Sequence, residues 1–394
     1  MGKKRKQSSK NGAQDALSSH KRAKTTAAAE TVNFDGDLDG PTTTNNITAL
    51  DKSAFTEQLA PEERKREATI YELLGSVDVS ERIAAADALI TGLLSGQGSP
   101  ESVLKRHLEK RLFRGLASSR NASRVGFSLV LTEILGQLFG PKNLAKTKFP
   151  GLTFDSVLEL LLETTQAGGN LPGQEERDFY FGQLFGLQCF VEAKILFIND
   201  DDSQRWHKIL DPLLKAADRK VWLRSHCGWV IVEALPHMGQ ARAEDLLKKL
   251  AELGWAKTAE GVGIWLRART IYSGIKTPAK PWRDPLAPGS IPELARVLKE
   301  SVKSDTGEDK NGPKVKQGNA SAQLSFVWDL ILSSFSTRDG TPRTHDKDLF
   351  KQFWSTVVDG KYRRPPSSPD RTLTALQMAS SRRTLPTARS TAAS

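Results

Sequence analysis

The sequence predicts an all-α protein, a stack of helix pairs of the HEAT or armadillo type (an α-solenoid) with disordered basic termini. Three observations carry that expectation. From about residue 62 the apolar side chains recur every three or four positions, with hardly any strict alternation. Segments of 12–20 residues with this period are separated by short Gly-, Pro- and Ser-containing stretches. Glycine also recurs inside the helical segments, at Gly126, Gly182, Gly186, Gly228 and Gly263, where each costs about 1 kcal/mol against Ala and so implies close helix–helix approach. A globular helical domain is the other way to pack such segments, and no exact repeat period is legible.

In chain order the spacing predicts helices over 62–75, 80–95, 100–117, 121–139, 153–167, 175–198, 203–217, 219–236, 241–253, 259–272, 291–303, 321–335 and 346–358. Ser99-Pro100 reads as an N-cap followed by proline at the first helical position, and Ser80 and Ser203 suit N-caps. Gly140-Pro141, Gly168-Gly169, Leu171-Pro172-Gly173 and the stretch from Pro278 to Pro288 end or separate helices. The polar stretch 304–320 reads as a mobile loop. The expected plan is a disordered tail over 1–61, basic then acidic, a helical region over 62–359, and a disordered basic tail over 360–394.

Composition sets limits on function. With 394 residues, of which 38% are hydrophobic, the chain can bury a sizeable core, which excludes wholesale disorder. Cys189 and Cys227 are the two cysteines, too few for a disulfide scaffold or a cysteine-rich metal site, and a reducing compartment is expected. The most apolar window, 179–198, is broken by Gln183, Gln188, Glu192 and Lys194, and the N-terminus lacks an apolar signal stretch. A soluble intracellular protein with no membrane partner is the expectation.

The net charge of +11 is unevenly placed. Residues 1–30 carry eight Lys/Arg against Asp15 and Glu30, and residues 361–394 carry seven against Asp370, so each tail is +6 and the body is close to neutral. Low apolar content and high charge predict that both tails stay disordered. The clusters Lys3, Lys4, Arg5, Lys6 and Lys21, Arg22, Lys24 suit nuclear import, where acidic receptor grooves bind extended basic segments.

One part of the body is an exception. Residues 105–124 hold Lys105, Arg106, Lys110, Arg111, Arg114, Arg120 and Arg124 against Glu109 alone. Leu104, Leu108, Leu112 and Leu116 recur at a spacing of four, and the cations fall on the other side of the same helix. Such a stripe, extended by Lys142, Lys146 and Lys148, could neutralise phosphates of a nucleic acid. A solvated helix face, or the acidic tail of a partner protein, accounts for the same residues.

No catalytic constellation is legible. Asp35, Asp37 and Asp39 open like a calcium loop, but the twelfth position is Asn46 where a bidentate Glu is needed, so an acidic linker is expected. Asp200, Asp201 and Asp202 suit a helix N-terminus rather than a metal. No Gly-rich phosphate loop occurs. His226-Cys227, with Trp222 and Trp229 nearby, reads as a core pair rather than a base and nucleophile. The tryptophans read as core residues rather than a base-stacking platform, because they fall on apolar faces and not among Lys/Arg. Neither metal, cofactor nor small-molecule substrate is expected.

Five blocks in order carry a likeness to known proteins: RLFRGLASSRNASRVGFSLVLTEIL (111–135), EERDFYFGQLFGLQCFV (175–191), WHKILDPLLKAADRKVWLRSHCGWVIVEAL (206–235), LGWAKTAEGVGIWL (253–266) and FWSTVVD (353–359). Together they resemble the DNA polymerase V/polymerase phi family, including its Myb-binding protein 1A-like members, over about 62–359. The resemblance implies a nucleolar α-solenoid that binds ribosomal DNA or pre-ribosomal RNA. It also implies nucleolar or transcription proteins as partners, in rDNA transcription regulation, rRNA processing and ribosome biogenesis. Despite the family name, the lack of polymerase carboxylates and of a nucleotide motif argues against DNA synthesis by this chain. Family members continue well beyond this length. Here the likeness fades after 357–359 and lingers over SSPDRTLTALQ (367–377), so a truncated or mis-spliced, fungal-type N-terminal portion is expected. A purely protein-binding adaptor, with no nucleic-acid contact, is the rival reading.

Overall fold

The computed structural model describes residues 50–304, 326–335 and 347–359, apart from 59, 97–98, 170, 199–202, 279 and 281–282. The expectations for the nuclear-import clusters, the acidic runs at 35–39 and 200–202, the loop at 304–320 beyond its first residue, and the C-terminal tail lie outside the described residues.

Every regular element among the described residues is helical. In order they are α1 (Pro61–Leu74), α2 (Val79–Leu94) and α3, which runs from Glu101–His107 through a π-helical stretch, Leu108–Leu112, into Phe113–Leu116. Then come α4 (Asn121–Phe139), a single turn α5 (Leu144–Thr147), α6 (Phe154–Thr164), α7 (Gly173–Glu192) and α8 (Ser203–Arg219). The remainder are α9 (Arg224–Met238), α10 (Gln240–Glu252), α11 (Ala259–Ile271), α12 (Ile291–Ser304), α13 (Phe326–Phe335) and α14 (Lys347–Phe353), which continues as a second π-helical stretch, Trp354–Val358. The all-α expectation therefore stands, and most predicted boundaries fall within a few residues of those observed.

The exceptions have physical reasons. The expected helix over 175–198 stops at Glu192 because Lys194 turns into the left-handed region (φ 57°), which lets Ile195 and Leu196 fold back into the core. Helix α2 is capped by Asp78, whose carboxylate accepts from the Glu81 N–H at 3.0 Å, and not by Ser80. Ser99 does not cap α3 either. It is buried, accepts from the Phe55 N–H at 3.0 Å and donates to the Gly92 carbonyl at 3.0 Å. That pair of bonds draws an extended segment onto α2 and α3, so the packed body begins upstream of 62, with Phe55 only 1% exposed.

The helices pack in a row. Successive seams join α1 to α2, α2 to α4, α4 to α7, α7 to α9, α9 to α11 and α11 to α13. The five mid-helix glycines picked out above each lie at a close approach to a neighbouring segment. A Cβ at Gly126 would overlap the Leu74 carbonyl of α1, and one at Gly186 would overlap Leu161 of α6. At Gly182 it would sit 2.9 Å from the Ala117 backbone, at Gly228 3.0 Å from Glu260, and at Gly263 2.7 Å from the Phe326 ring. No described helix is long and apolar enough to cross a membrane.

Candidate nucleic-acid interface

The basic region is built on α3 and the start of α4. Leu104, Leu108, Leu112 and Leu116 are all fully buried, each contributing about 1.5–3 kcal/mol. A strict spacing of four should not achieve this in an ideal α-helix, since each step of four overshoots the turn by about 40° and three steps drift about 120°. The π-helical stretch at Leu108–Leu112 takes up the drift, because its wider i→i+5 turn brings four-spaced residues back onto one side. The same correction aligns Lys110 with Arg114 on the outer side. The period of four was the available signal for the π-turn, and spacing arguments based on 3.6 passed over it.

The seven candidate cations divide. Lys105, Lys110, Arg111, Arg114 and Arg120 are exposed, so the structure brings five of them to the surface of α3 and its turn into α4. Lys110 pairs with Glu109, Arg111 lies 5.6 Å over the Tyr71 ring, and Arg120 donates to the Gly75 carbonyl at 2.7 Å, closing the end of α1.

Arg106 and Arg124 are turned inward. Arg106 makes a two-pronged contact with Glu67 of α1, at 2.7 and 3.2 Å, and Glu67 is 1% exposed. His107, fully buried, completes the cluster: the Tyr71 hydroxyl donates to its Nδ1 at 2.7 Å, which leaves Nε2–H to donate to Glu67 at 3.2 Å. Burial pushes the Glu67 carboxyl up, but the hydrogen bonds from His107 and Arg106, with the Arg106 charge, outweigh it and hold the group down at about 2. Burial also lowers His107, which keeps it neutral. Arg124 is 7% exposed, donates to Asp178 of α7 at 2.8 Å and to Asn121 at 3.1 Å, and lies 4.8 Å over the Phe181 ring. Both arginines staple helices, Arg124 almost wholly buried and Arg106 with 27% of its side chain exposed. Their carboxylate partners lie 39 and 54 residues away in the chain, so spacing on α3 and α4 carried no sign of them.

Of the three lysines thought to extend the stripe, Lys142 and Lys146 are exposed, while Lys148 donates to the carbonyls of Leu94 and Gly96 at 3.1 and 3.3 Å. The aromatic residues also depart from expectation. Trp206, Trp255 and Trp265 are buried, but Trp222 is only half-buried and Trp229 is 41% exposed. Cys227 is buried, its thiol pushed up to about 12 by burial, whereas its neighbour His226 is exposed and meets the edge of Phe181. An inert thiol beside an outward imidazole is neither a core pair nor a nucleophile and base.

A cleft of about 470 Å³ opens among Glu192, Lys194, Trp229, Glu233, Arg267 and Phe326. Burial, with the Glu192 charge as a lesser cause, raises the Glu233 carboxyl, and Gln188 bridges the two acids at 2.7 and 3.1 Å. Among the described residues no group of three or more His, Cys, Asp or Glu could hold a metal ion.

Comparison with known proteins gives two kinds of match. A family model described as DNA polymerase phi matches residues 107–389. The chain is 31% identical over 307 residues to the rDNA transcriptional regulator pol5 of Schizosaccharomyces pombe, covering 75% of this chain and 29% of that protein. It is 27% identical over 336 residues to the rDNA transcriptional regulator POL5 of Saccharomyces cerevisiae, covering 74% of this chain and 32% of that protein. The chain thus spans about a third of the length of these curated relatives. No solved structure matches.

Proposed function

The chain belongs to the DNA polymerase phi family, and from that premise we propose that it works as a non-enzymatic nuclear scaffold in the regulation of ribosomal DNA transcription. The row of helix seams from α1 to α13 supports reading the body as a HEAT- or armadillo-type solenoid, whose faces hold nucleolar or transcription proteins. The exposed edge of α3, formed by Lys105, Lys110, Arg111 and Arg114 with Arg120, contacts the phosphates of ribosomal DNA or pre-ribosomal RNA. The clusters at 3–6 and 21–24 direct the chain to the nucleus and nucleolus. No cofactor and no nucleotide chemistry enter this reading.

The observation that carries it is the outward, largely uncompensated cationic edge of α3, on a chain whose curated relatives are named rDNA transcriptional regulators. The test is binding of the full chain to ribosomal RNA and to duplex DNA across a salt series. The comparison is a variant with Lys105, Lys110, Arg111 and Arg114 changed to Gln. Binding that weakens steeply with salt, and a variant whose log–log salt slope is shallower by about three to four, support the reading. Salt-dependent binding that the variant retains moves the contact away from α3. No binding at all turns the proposal into its rival, a scaffold for proteins alone.

A further inference from the structure

We propose that the surface where α7 meets the start of α9 is a stacking site for an unpaired base of single-stranded nucleic acid, with Arg177 and Trp222 as its platform. This rests on the nucleic-acid reading above and names the substrate class of that interface.

The guanidinium of Arg177, exposed, lies 4.8 Å from the centroid of the half-buried Trp222 indole and 5.6 Å from that of Phe181. Phe181 is the hub of the patch. It also meets Arg124 at 4.8 Å, Trp222 at 5.4 Å and His226, edge-on, at 5.5 Å. Beside it Val221 is 44% exposed. An ion pair does not explain Arg177. Of the neighbouring acids on α7, Glu176 pairs with Lys220 at 2.9 Å and Asp178 with Arg124 at 2.8 Å, and no ion pair to Arg177, from these or from Glu175, is formed among the described residues. What remains is a flat cationic plate, backed by an indole and open to solvent.

Bases stack on arginine planes as they do on aromatic rings, and a cation in the stack also draws in the phosphate backbone. A duplex cannot use such a plate, because its bases are already stacked and paired, so the site selects single strands. The patch is continuous with the cationic edge. Gly182 of α7 abuts Ala117 at the end of α3, and Arg124, which touches Phe181, is one helical turn from Arg120. A strand held at Lys110 and Arg114 would pass the end of α3, where α7 packs, on its way to Arg177 and Trp222.

The test is binding of the full chain to a fluorescent 20-nucleotide oligouridine and to a 20-base-pair duplex, at one salt concentration. Arg177→Lys, a surface change that keeps the charge and removes the plane, is expected to weaken oligouridine binding about tenfold and duplex binding far less. Trp222→Leu should do the same and abolish the quenching of tryptophan emission by the bound strand. Thermal midpoints report whether each variant is folded, and the lysine variant suffices if the leucine variant is not. Unchanged oligouridine affinity in Arg177→Lys, or an equal loss for both polymers, overturns the stacking site. If the α3 glutamine variant loses both polymers while Arg177→Lys loses neither, only the stacking site falls. If the wild-type chain binds neither polymer, the nucleic-acid reading itself fails.

Discussion

The seam between α1 and α3 and the seam between α11 and α13 bring helices together by different chemistry. The first buries charge: Glu67 faces Arg106 and His107, with Tyr71 closing the far side of the imidazole. The second meets through apolar groups, with Gly263 admitting the Phe326 ring and Val327 onto the backbone of α11. A charged seam is sensitive to pH and to the loss of any one partner, because the remaining groups stay buried without compensation. An apolar contact at a glycine is sensitive to volume. The difference also explains why two residues of the basic region are structural: an arginine beside a buried carboxylate is held there by the cost of leaving that carboxylate alone.

That contrast can be broken most forcefully at Glu67. Glu67→Ala strands Arg106 and should lower unfolding free energy by about 4 kcal/mol, measured by denaturant titration; a loss below about 1 kcal/mol would show that the seam does not depend on the pair. Acid is the next lever. Glu67 is held at about 2 in the folded protein against 4.5 unfolded, so its contribution is complete above pH 4.5 and is lost as pH falls towards 2, a total of about 3 kcal/mol. His107 adds an earlier step of the same sign. Its folded value lies below 6.5, so the unfolded chain takes up the proton first and stability declines once pH drops under 6.5. Thermal midpoints measured from pH 8 to pH 4 should fall in the wild type, and His107→Gln should flatten the part of that fall between pH 6.5 and 5.

The glycine seam sharpens the comparison with a smaller effect. Gly263→Ala places a methyl group 2.7 Å from the Phe326 ring and should cost about 1–2 kcal/mol, with the pH profile unchanged in shape. The smallest effect belongs to the outer edge. Lys105→Gln, Lys110→Gln and Arg114→Gln together should shift unfolding free energy by less than about 0.5 kcal/mol, since these side chains are exposed. A larger shift would mean that the edge, too, serves the fold.

Much of the fold was legible because helical order is a local code. The four leucines of α3 and the Gly140-Pro141 stop of α4 each state a requirement within one or two turns, and the structure meets them. The capping residues were read less well. Ser99 has the right type and neighbour for a cap, but Phe55, 44 residues upstream, claims its hydroxyl. Of the seven cations on α3 and α4, the sequence showed that they cluster, yet it could not separate the five exposed ones from the two that pair with buried carboxylates. Trp222 carried no distinguishing mark either, since its partner Arg177 lies on another helix.

The sequence by itself determined that this chain is helical, where its helices begin and end to within a few residues, and that its positive charge is concentrated in one hairpin of the body and in the two tails. Only the tertiary structure decided which arginines are staples and which face solvent. The reason is the range of the forces. Helix period and termini depend on contacts three or four residues apart, which the sequence displays directly. The fate of a guanidinium depends on whether packing brings a carboxylate or an aromatic ring beside it, and here those partners come from helices tens of residues away.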